Sequence, residues 1–309
     1  MMKALKLAAG LNVILLLTAG YSPASAEALK VVSSFTVISD FAKNVGGDKV
    51  SITTLVGPDG DAHVYEPKPA DAVAVAGADV VLVNGLHFEG FLPRLVEASA
   101  TKAPIVELTK GVEPIKSAEE DHGDSGAAKE EHGAYDPHAF QSIRNAKIYV
   151  QNIVDAFCTA DATNCDSYKT NAAAYTKKLD ATEAEVKAAI ASIPESKRLI
   201  ITSHDAFGYF QHEYGLKFLA PEGISTDSEA SAADIVALIK QVKEDKASAI
   251  FVENITNPRL IEQIASETKL NVGGTLFSDA LSKPDEGAAT YIDMMHHNIA
   301  TFKKAILGS

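Results

Sequence analysis

Two parts of this chain alternate short aliphatic segments with helical ones, and this alternation limits the possible folds more than any other feature. In the first third, residues 29–34, 50–56, 80–83 and 105–108 are strand-like, and helical patterns over residues 35–45, 69–76 and 89–100 lie between them. The last third repeats the arrangement, with strand-like segments at 198–202, 217–219 and 249–252. Strands that alternate with helices form mainly parallel sheets covered by helices. The sequence therefore predicts an α/β fold with two lobes.

A long helical segment lies between the two alternating parts. Its apolar residues, at positions 168, 172, 175, 179, 186, 190 and 193, make one stripe, and Pro194 ends it. A helix over residues 165–193 would be roughly 40 Å long at 1.5 Å per residue, which suits a rigid connection between lobes. We therefore predict an N-terminal lobe over residues 27–143, a helical linker over 144–194 and a C-terminal lobe over 195–309.

The C-terminal lobe allows some local predictions. Ser231 is expected to cap a helix, with Asp234 three residues later. The buried face of that helix would consist of Ile235, Val236, Ile239 and Val242. Two further helices are expected over residues 259–268 and 291–307, and the Gly pair at 273–274 is expected to mark a turn.

The first 26 residues have the features of a secretory signal. Lys3 and Lys6 precede an apolar run over residues 11–18, and Ala24-Ser25-Ala26 is a small-residue cleavage site. The apolar run is too short to span a membrane. We expect cleavage after Ala26 and a periplasmic mature protein, with a retained N-terminal anchor as the alternative.

The balance of acidic and basic residues limits the kinds of partner that the chain is expected to bind. The chain has 41 acidic and 28 basic residues, and its net charge is −13. Binding of nucleic acid depends on basic patches. The composition therefore argues against a nucleic-acid partner and suits a protein that handles cations.

The chain has two cysteines, Cys158 and Cys165. In an exported protein, two thiols this close in sequence are expected to form one disulfide bond. A metal-binding pair is the alternative, although this spacing is not a common one for zinc.

Three histidines and one aspartate stand in short, distinctive sequence frames. They are His63 in DAHVYEP, His138 in DPHAF, His204 in SHDAFGYF and Asp279 in FSDAL. Three of the four follow predicted strands, and ligands of open α/β sheets bind beyond the carboxyl ends of the strands. Imidazole nitrogens with one carboxylate oxygen suit zinc. We therefore predict a zinc site in the cleft between the lobes; the alternative is that each histidine only makes hydrogen bonds at a strand end.

A site with four protein ligands favours a carrier over an enzyme. A catalytic zinc normally keeps one coordination position open for water, and four bound side chains would close it. A secreted zinc hydrolase is the alternative from another class, with Asp279 or Glu66 as its general base. The chain lacks the His-Glu-x-x-His pair that is typical of many zinc hydrolases.

Residues 117–134 form an acidic segment without apolar periodicity, as expected of an exposed loop. The segment is a candidate for collecting zinc, through His122, His132, Glu120, Asp121 and Asp124. The alternative is a solvated loop that binds no metal. Elsewhere, Glu66 and Glu253 would either orient metal ligands by hydrogen bonds or only cap local structure.

The motifs around these residues resemble the metal-binding extracytoplasmic proteins of bacterial ABC transporters, in the zinc and manganese group called cluster A-I. The similarity includes GPDGDAHVYEP at 57–67, DPH at 136–138, HDAFGYF at 204–210 and PEGI at 221–224, and it extends over nearly all of the chain after residue 26. The resemblance implies two α/β lobes joined by one long helix. It also implies that the metal ligands are His63, His138, His204 and Asp279.

The resemblance further implies a choice of metal. Manganese members typically carry glutamate at the third ligand position and zinc members carry histidine, and this chain has His204. The acidic loop is similar to that of the zinc subclass, although it has only two histidines. After His138 the chain has AFQSIRN, where the family often has Trp-Leu-Asp-Pro. This variant and the short loop resemble a branch whose members receive zinc from a periplasmic metallochaperone.

These observations lead to one prediction of function. We expect a monomeric, periplasmic, high-affinity Zn²⁺-binding protein that delivers zinc to the permease of an ABC transporter for import. A manganese-binding homologue is the alternative within the same family.

Overall fold

Two four-stranded parallel sheets form the centres of two lobes. The computed structural model describes residues 27–117 and 135–308, and all statements below refer to these ranges. The N-terminal sheet has the strand order β2-β1-β3-β4 and the C-terminal sheet the order β6-β5-β7-β8. The strands are β1 (Leu29–Phe35), β2 (Val50–Val56), β3 (Val80–Val83), β4 (Ile105–Glu107), β5 (Leu199–Ile201), β6 (Lys217–Leu219), β7 (Ala249–Glu253) and β8 (Val272–Leu276). The predicted fold of two α/β lobes with parallel sheets is confirmed.

Helices follow the strands and cover the sheets. They are α1 (Thr36–Gly46), α2 (Pro69–Ala76), α3 (Leu92–Ser99), α4 (Ile143–Ala160), α5 (Cys165–Ala191), α6 (Gly208–Tyr214), α7 (Ala232–Asp245), α8 (Arg259–Thr268) and α9 (Tyr291–Leu307). All four residues of β3 are buried, as expected of a strand between two layers of helices. No helix within the described ranges is both long and apolar enough to cross a membrane.

The long helix α5 packs against both lobes. It has 27 residues, and it contacts α1 of the N-terminal lobe, α4, and α9 of the C-terminal lobe. Its buried stripe includes Thr182, which the apolar pattern did not predict. Asp40 on α1 joins the three helices, because its Oδ2 atom accepts hydrogen bonds from the Tyr175 hydroxyl on α5 (3.3 Å) and the Tyr291 backbone N–H on α9 (3.1 Å). The helix therefore connects the lobes as one rigid element.

A disulfide bond joins the end of α4 to the start of α5. It links Cys158 and Cys165, so the predicted disulfide is confirmed and the alternative of a metal-binding pair is wrong. The bond fixes the turn between two antiparallel helices that pack closely against each other.

Several local predictions need correction. The helix predicted from residue 35 begins at Thr36, because Phe35 still belongs to β1 and pairs with Val56. The helix predicted from residue 89 begins at Leu92, because the Glu89 side chain accepts the Asn84 backbone N–H and closes a loop there.

In the C-terminal lobe, the Ser231 cap is confirmed, since its hydroxyl accepts the Asp234 backbone N–H at 3.2 Å. Val236 was expected in the buried face of α7 but is 67% exposed, and Leu238 is buried instead. The expected turn at Gly273-Gly274 is also wrong, because both residues lie inside β8.

Two predicted features lie outside the described residues. One is the signal sequence over residues 1–26, with its cleavage site after Ala26. The other is the zinc-collecting segment with His122, His132, Glu120, Asp121 and Asp124. The predicted domain boundaries likewise stay predictions.

Candidate metal centre

The fold brings the four predicted ligands together between the lobes. His63 lies in the loop after β2, His138 directly before the turn that leads into α4, His204 after β5 and Asp279 after β8. Each offers one ligand atom, and these atoms all lie within 4.8 Å of one another. Strand ends from both sheets thus supply the cluster, although the closest pair in sequence is 66 residues apart.

One carboxylate oxygen lies at the centre of the cluster. The Oδ2 atom of Asp279 is 3.0 Å from His204 Nε2, 3.2 Å from His63 Nε2 and 3.5 Å from His138 Nε2. His138, His204 and Asp279 are fully buried, and the His63 side chain is 4% exposed. The other oxygen, Asp279 Oδ1, has no hydrogen-bond partner among the described residues. A buried anionic oxygen without a partner is costly, and a bound cation would satisfy it.

An aspartate two residues before the histidine fixes the backbone at two of the predicted ligands. Asp61 Oδ1 accepts the His63 backbone N–H at 2.9 Å, and Asp136 Oδ1 accepts the His138 backbone N–H at 2.8 Å. Both are local turns in which a short acidic side chain bonds its own backbone. The Asp-x-His pattern in both frames is the sequence signal for these turns, although the roles of Asp61 and Asp136 were not predicted from it.

Carboxylates also hold the outer nitrogen of two imidazole rings. Asp136 Oδ1 is 2.8 Å from His138 Nδ1, and Glu253 Oε2 is 2.5 Å from His204 Nδ1. Such partners hold a proton on Nδ1 of the ring, so that Nε2 faces the cluster and offers its lone pair once its own proton has left. Of the two alternatives for Glu253, orientation of a ligand therefore agrees with the structure. Glu66 instead lines a surface cavity beside α2.

An aromatic ring packs against the histidines. Phe88, which follows β3, lies 4.7 Å from the His63 ring and 5.6 Å from the His138 ring, measured between centroids in edge-to-face geometry. Phe88 is 1% exposed. Phe88 therefore gives this side of the cluster an apolar surface. It was not predicted, because its frame NGLHFEG contains no pattern that indicates this contact.

Burial and nearby charges act in opposite directions on the pKa values of the cluster. Burial lowers the pKa of His63, and its contact with Asp279 only partly offsets this. Burial also disfavours the charged form of His138, but Asp279 and Asp136 outweigh it and raise the pKa of His138 to about 9. Burial opposes the charge of His204 as well, yet Glu253 and Asp279 raise its pKa well above the usual range.

The aspartate responds to the same charges. Burial favours its protonated form, but His138 and His204 hold the pKa of Asp279 well below its usual range. The carboxylates around the cluster thus stabilise positive charge at its centre. Protons and a divalent cation would compete for the same nitrogen atoms.

Comparison with known proteins places this arrangement in a family. The model of the family described as ZnuA, zinc-uptake complex component A, periplasmic, matches residues 31–305. The chain belongs to this family. Its members are metal-binding, substrate-binding components of ABC transporters and not enzymes, so the alternative of a zinc hydrolase is rejected.

The names of individual relatives refer to different metals. The chain is 33% identical to the manganese-binding lipoprotein MntA of Halalkalibacterium halodurans, over 89% of this chain and 88% of the relative. A manganese-bound periplasmic metal-binding protein from Candidatus Liberibacter asiaticus is 31% identical with a TM-score of 0.78, over 89% of this chain and 98% of the other. The periplasmic zinc-binding protein TroA from Treponema pallidum is 28% identical with a TM-score of 0.81, over 91% and 99%. Family membership therefore establishes a divalent metal ion as the ligand without deciding which one.

Proposed function

We propose that this protein binds Zn²⁺ outside the cytoplasmic membrane and delivers it to the permease of an ABC transporter for import. The observation that carries the choice of zinc is the donor set: three imidazole nitrogens and one carboxylate side chain, on His63, His138, His204 and Asp279. Zinc binds such sets with tetrahedral geometry, whereas manganese favours sites richer in oxygen ligands.

The surroundings of the ligands suit a tight but reversible site. Asp136 and Glu253 orient two of the imidazoles before the metal arrives, which reduces the ordering that binding requires. With four protein ligands in place, no position stays open for a reactive water. The site would therefore hold its metal as cargo.

Manganese is the second candidate, because the names of MntA and of the manganese-bound neighbour point to it. The third ligand separates the two candidates. A glutamate at position 204 would give the site two carboxylates and two imidazoles, and would shift its preference towards manganese. This chain has His204 there, fully buried and held by Glu253.

The choice of metal can be tested with purified mature protein. Metal-free protein is titrated with Zn²⁺ and with Mn²⁺ against a chromophoric chelator, and the same is done for His204→Glu and for His212→Glu. His212 is an exposed histidine on α6 and serves as the matched control. We expect wild type and His212→Glu to share one strong preference for zinc, and His204→Glu to lose at least about tenfold of that preference, or 1.4 kcal/mol.

Two outcomes would refute the assignment. One is tighter binding of Mn²⁺ than of Zn²⁺ by the wild type. The other is an unchanged zinc affinity in the double variant His138→Ala with His204→Ala.

The remaining predictions of the sequence are proposals of the same function. We propose that the segment over residues 117–134 collects zinc through His122 and His132. A stoichiometry of two zinc ions per chain would support this proposal, and a stoichiometry of one would refute it.

We also propose export with cleavage after Ala26, which intact-mass measurement of the mature protein would test. A monomeric state and acceptance of zinc from a periplasmic metallochaperone complete the proposal, and size-exclusion chromatography tests the former.

A further inference from the structure

A hydrogen bond between the lobes connects one proposed ligand to the wall of the cavity beside it. The Thr226 hydroxyl of the C-terminal lobe donates to Asp61 Oδ2 at 2.6 Å. The other oxygen of the same carboxylate accepts the His63 backbone N–H at 2.9 Å. Asp61 therefore bridges Thr226 and His63 directly.

The segment that carries Thr226 is also bonded near a second ligand. The Glu222 backbone N–H donates to the Ser203 carbonyl at 3.3 Å, and the Asp205 N–H donates to the Gly223 carbonyl at 3.0 Å. Ser203 and Asp205 flank His204. Residues 222–226 thus form a strap whose base is attached beside His204 and whose tip is attached, through Asp61, to His63.

This strap forms one wall of a cavity that reaches the metal site. The cavity has a volume of about 310 Å³, and His63 lines it together with Phe88 from the N-terminal lobe and Ile224 and Ser225 from the strap. His138, His204 and Asp279 are fully buried. A metal ion that leaves through this cavity must therefore pass His63 and the strap.

Other bonds hold the lobes together independently of Thr226. The Asp59 backbone N–H donates to the Leu281 carbonyl at 3.0 Å, and the Gln141 amide donates to the Ser278 carbonyl at 2.6 Å. The Asn254 amide also donates to Asp59 Oδ1 at 3.0 Å. Loss of the Thr226 hydroxyl would consequently remove the bond between the strap and the His63 loop without separating the lobes.

We propose that Thr226 and Asp61 are positioning residues that set the rate at which the metal leaves the site. Their hydrogen bond holds His63 and the strap against each other while the metal is bound. When it breaks, the His63 loop and the cavity wall move apart, and the ion loses the ligand nearest the cavity first. The inference rests on the proposed function, because it concerns the same four ligands.

The test measures how fast zinc-loaded protein transfers Zn²⁺ to an excess of chromophoric chelator. Thr226→Val removes the hydroxyl and keeps the shape, Thr226→Ser retains the hydroxyl, and Asp61→Ala removes the bridge. Thr268→Val is the matched control, because Thr268 is a partly buried threonine on α8 whose hydroxyl, among the described residues, bonds only within its own helix. Urea unfolding of each metal-free variant accompanies the rates.

We expect dissociation to accelerate about tenfold in Thr226→Val, equivalent to 1.4 kcal/mol. Thr226→Ser should return to the wild-type rate, and Thr226→Val should add nothing in the Asp61→Ala background. Equal rates in wild type and Thr226→Val, or the same acceleration in Thr268→Val, would overturn the proposal. A wild-type protein that holds no zinc would instead refute the proposed function itself.

Discussion

Replacement of Glu253 by glutamine isolates the contribution of a residue that contacts the proposed ligand His204 and is not itself one of the four proposed ligands. Glu253 Oε1 accepts the backbone N–H groups of Ser203 (2.7 Å) and His204 (3.0 Å), and Oε2 contacts His204 Nδ1. Glutamine has the same shape but only one acceptor oxygen. If that oxygen keeps the two backbone bonds, the amide NH₂ faces Nδ1.

An amide donor at Nδ1 reverses the tautomer of the His204 ring. The proton then resides on Nε2, and it must leave that nitrogen before a metal ion can bind there. Loss of such a partner typically weakens metal binding by about 10–100-fold, or about 1.4–2.7 kcal/mol. We therefore expect the zinc affinity of Glu253→Gln to fall within that range. The free energy of unfolding of the metal-free protein should fall by about 1–3 kcal/mol, because a charged hydrogen bond is lost.

The matched control is Glu89→Gln. Glu89 is also buried, and its Oε1 accepts the Asn84 backbone N–H and the Ser34 hydroxyl, both at 2.6 Å. It bonds to none of the four proposed ligands, so glutamine there should leave the zinc affinity nearly unchanged. Both affinities are measured by chelator competition. Unchanged affinity in Glu253→Gln, or an equal loss in the two variants, would refute the tautomer argument.

Three further predictions concern the fold and the pH dependence. The double variant Cys158→Ser with Cys165→Ser should lower the free energy of unfolding in urea by about 2–3 kcal/mol, as expected for a short closed loop. Its zinc affinity should be unchanged, because the disulfide bond lies at the far end of α4 from His138. Gly273→Ala should cost about 1–3 kcal/mol of unfolding free energy, since the new Cβ would lie 2.6 Å from the Ala305 Cβ atom. Because its pKa is raised from 6.5 to about 9, His138 stabilises the metal-free fold fully below pH 6.5, and this contribution is lost as the pH rises through 9. The apparent zinc affinity should instead rise with pH, because protons leave the proposed ligands. Chelator competition at pH 6, 7 and 8 measures this affinity.

The parts of the fold that sequence predicts well are those determined by local pattern. β3 is a continuous aliphatic run, and it is a fully buried strand. The apolar stripe of α5 gave the long helix, and the sequence frames of the four predicted ligands gave residues that the fold does bring together. In these cases the sequence pattern lies within the same short segment as the strand, helix or site residue that it predicts.

The parts that sequence missed depend on contacts between distant segments. Glu253 holds His204 across 49 residues, so neither frame contains the other partner. Position 273 in β8 is a glycine because the Phe251 ring and the Ala305 methyl group leave no room for a side chain there. No residue near it in the sequence indicates that packing. Val236 has the helical spacing of a buried residue, yet it faces outward because Leu238 and Val242 already cover the sheet.

The helix shared by the lobes has a consequence for how loaded and empty molecules differ. Because α5 packs against α1 and α9 at once, and Asp40 bonds to residues on both α5 and α9, the lobes cannot swing widely apart. The radius of gyration in solution should then be nearly the same with and without zinc. A membrane partner that distinguishes the two forms would have to contact the loops at the mouth of the cleft, since the overall shape of the molecule would be almost the same with and without the metal.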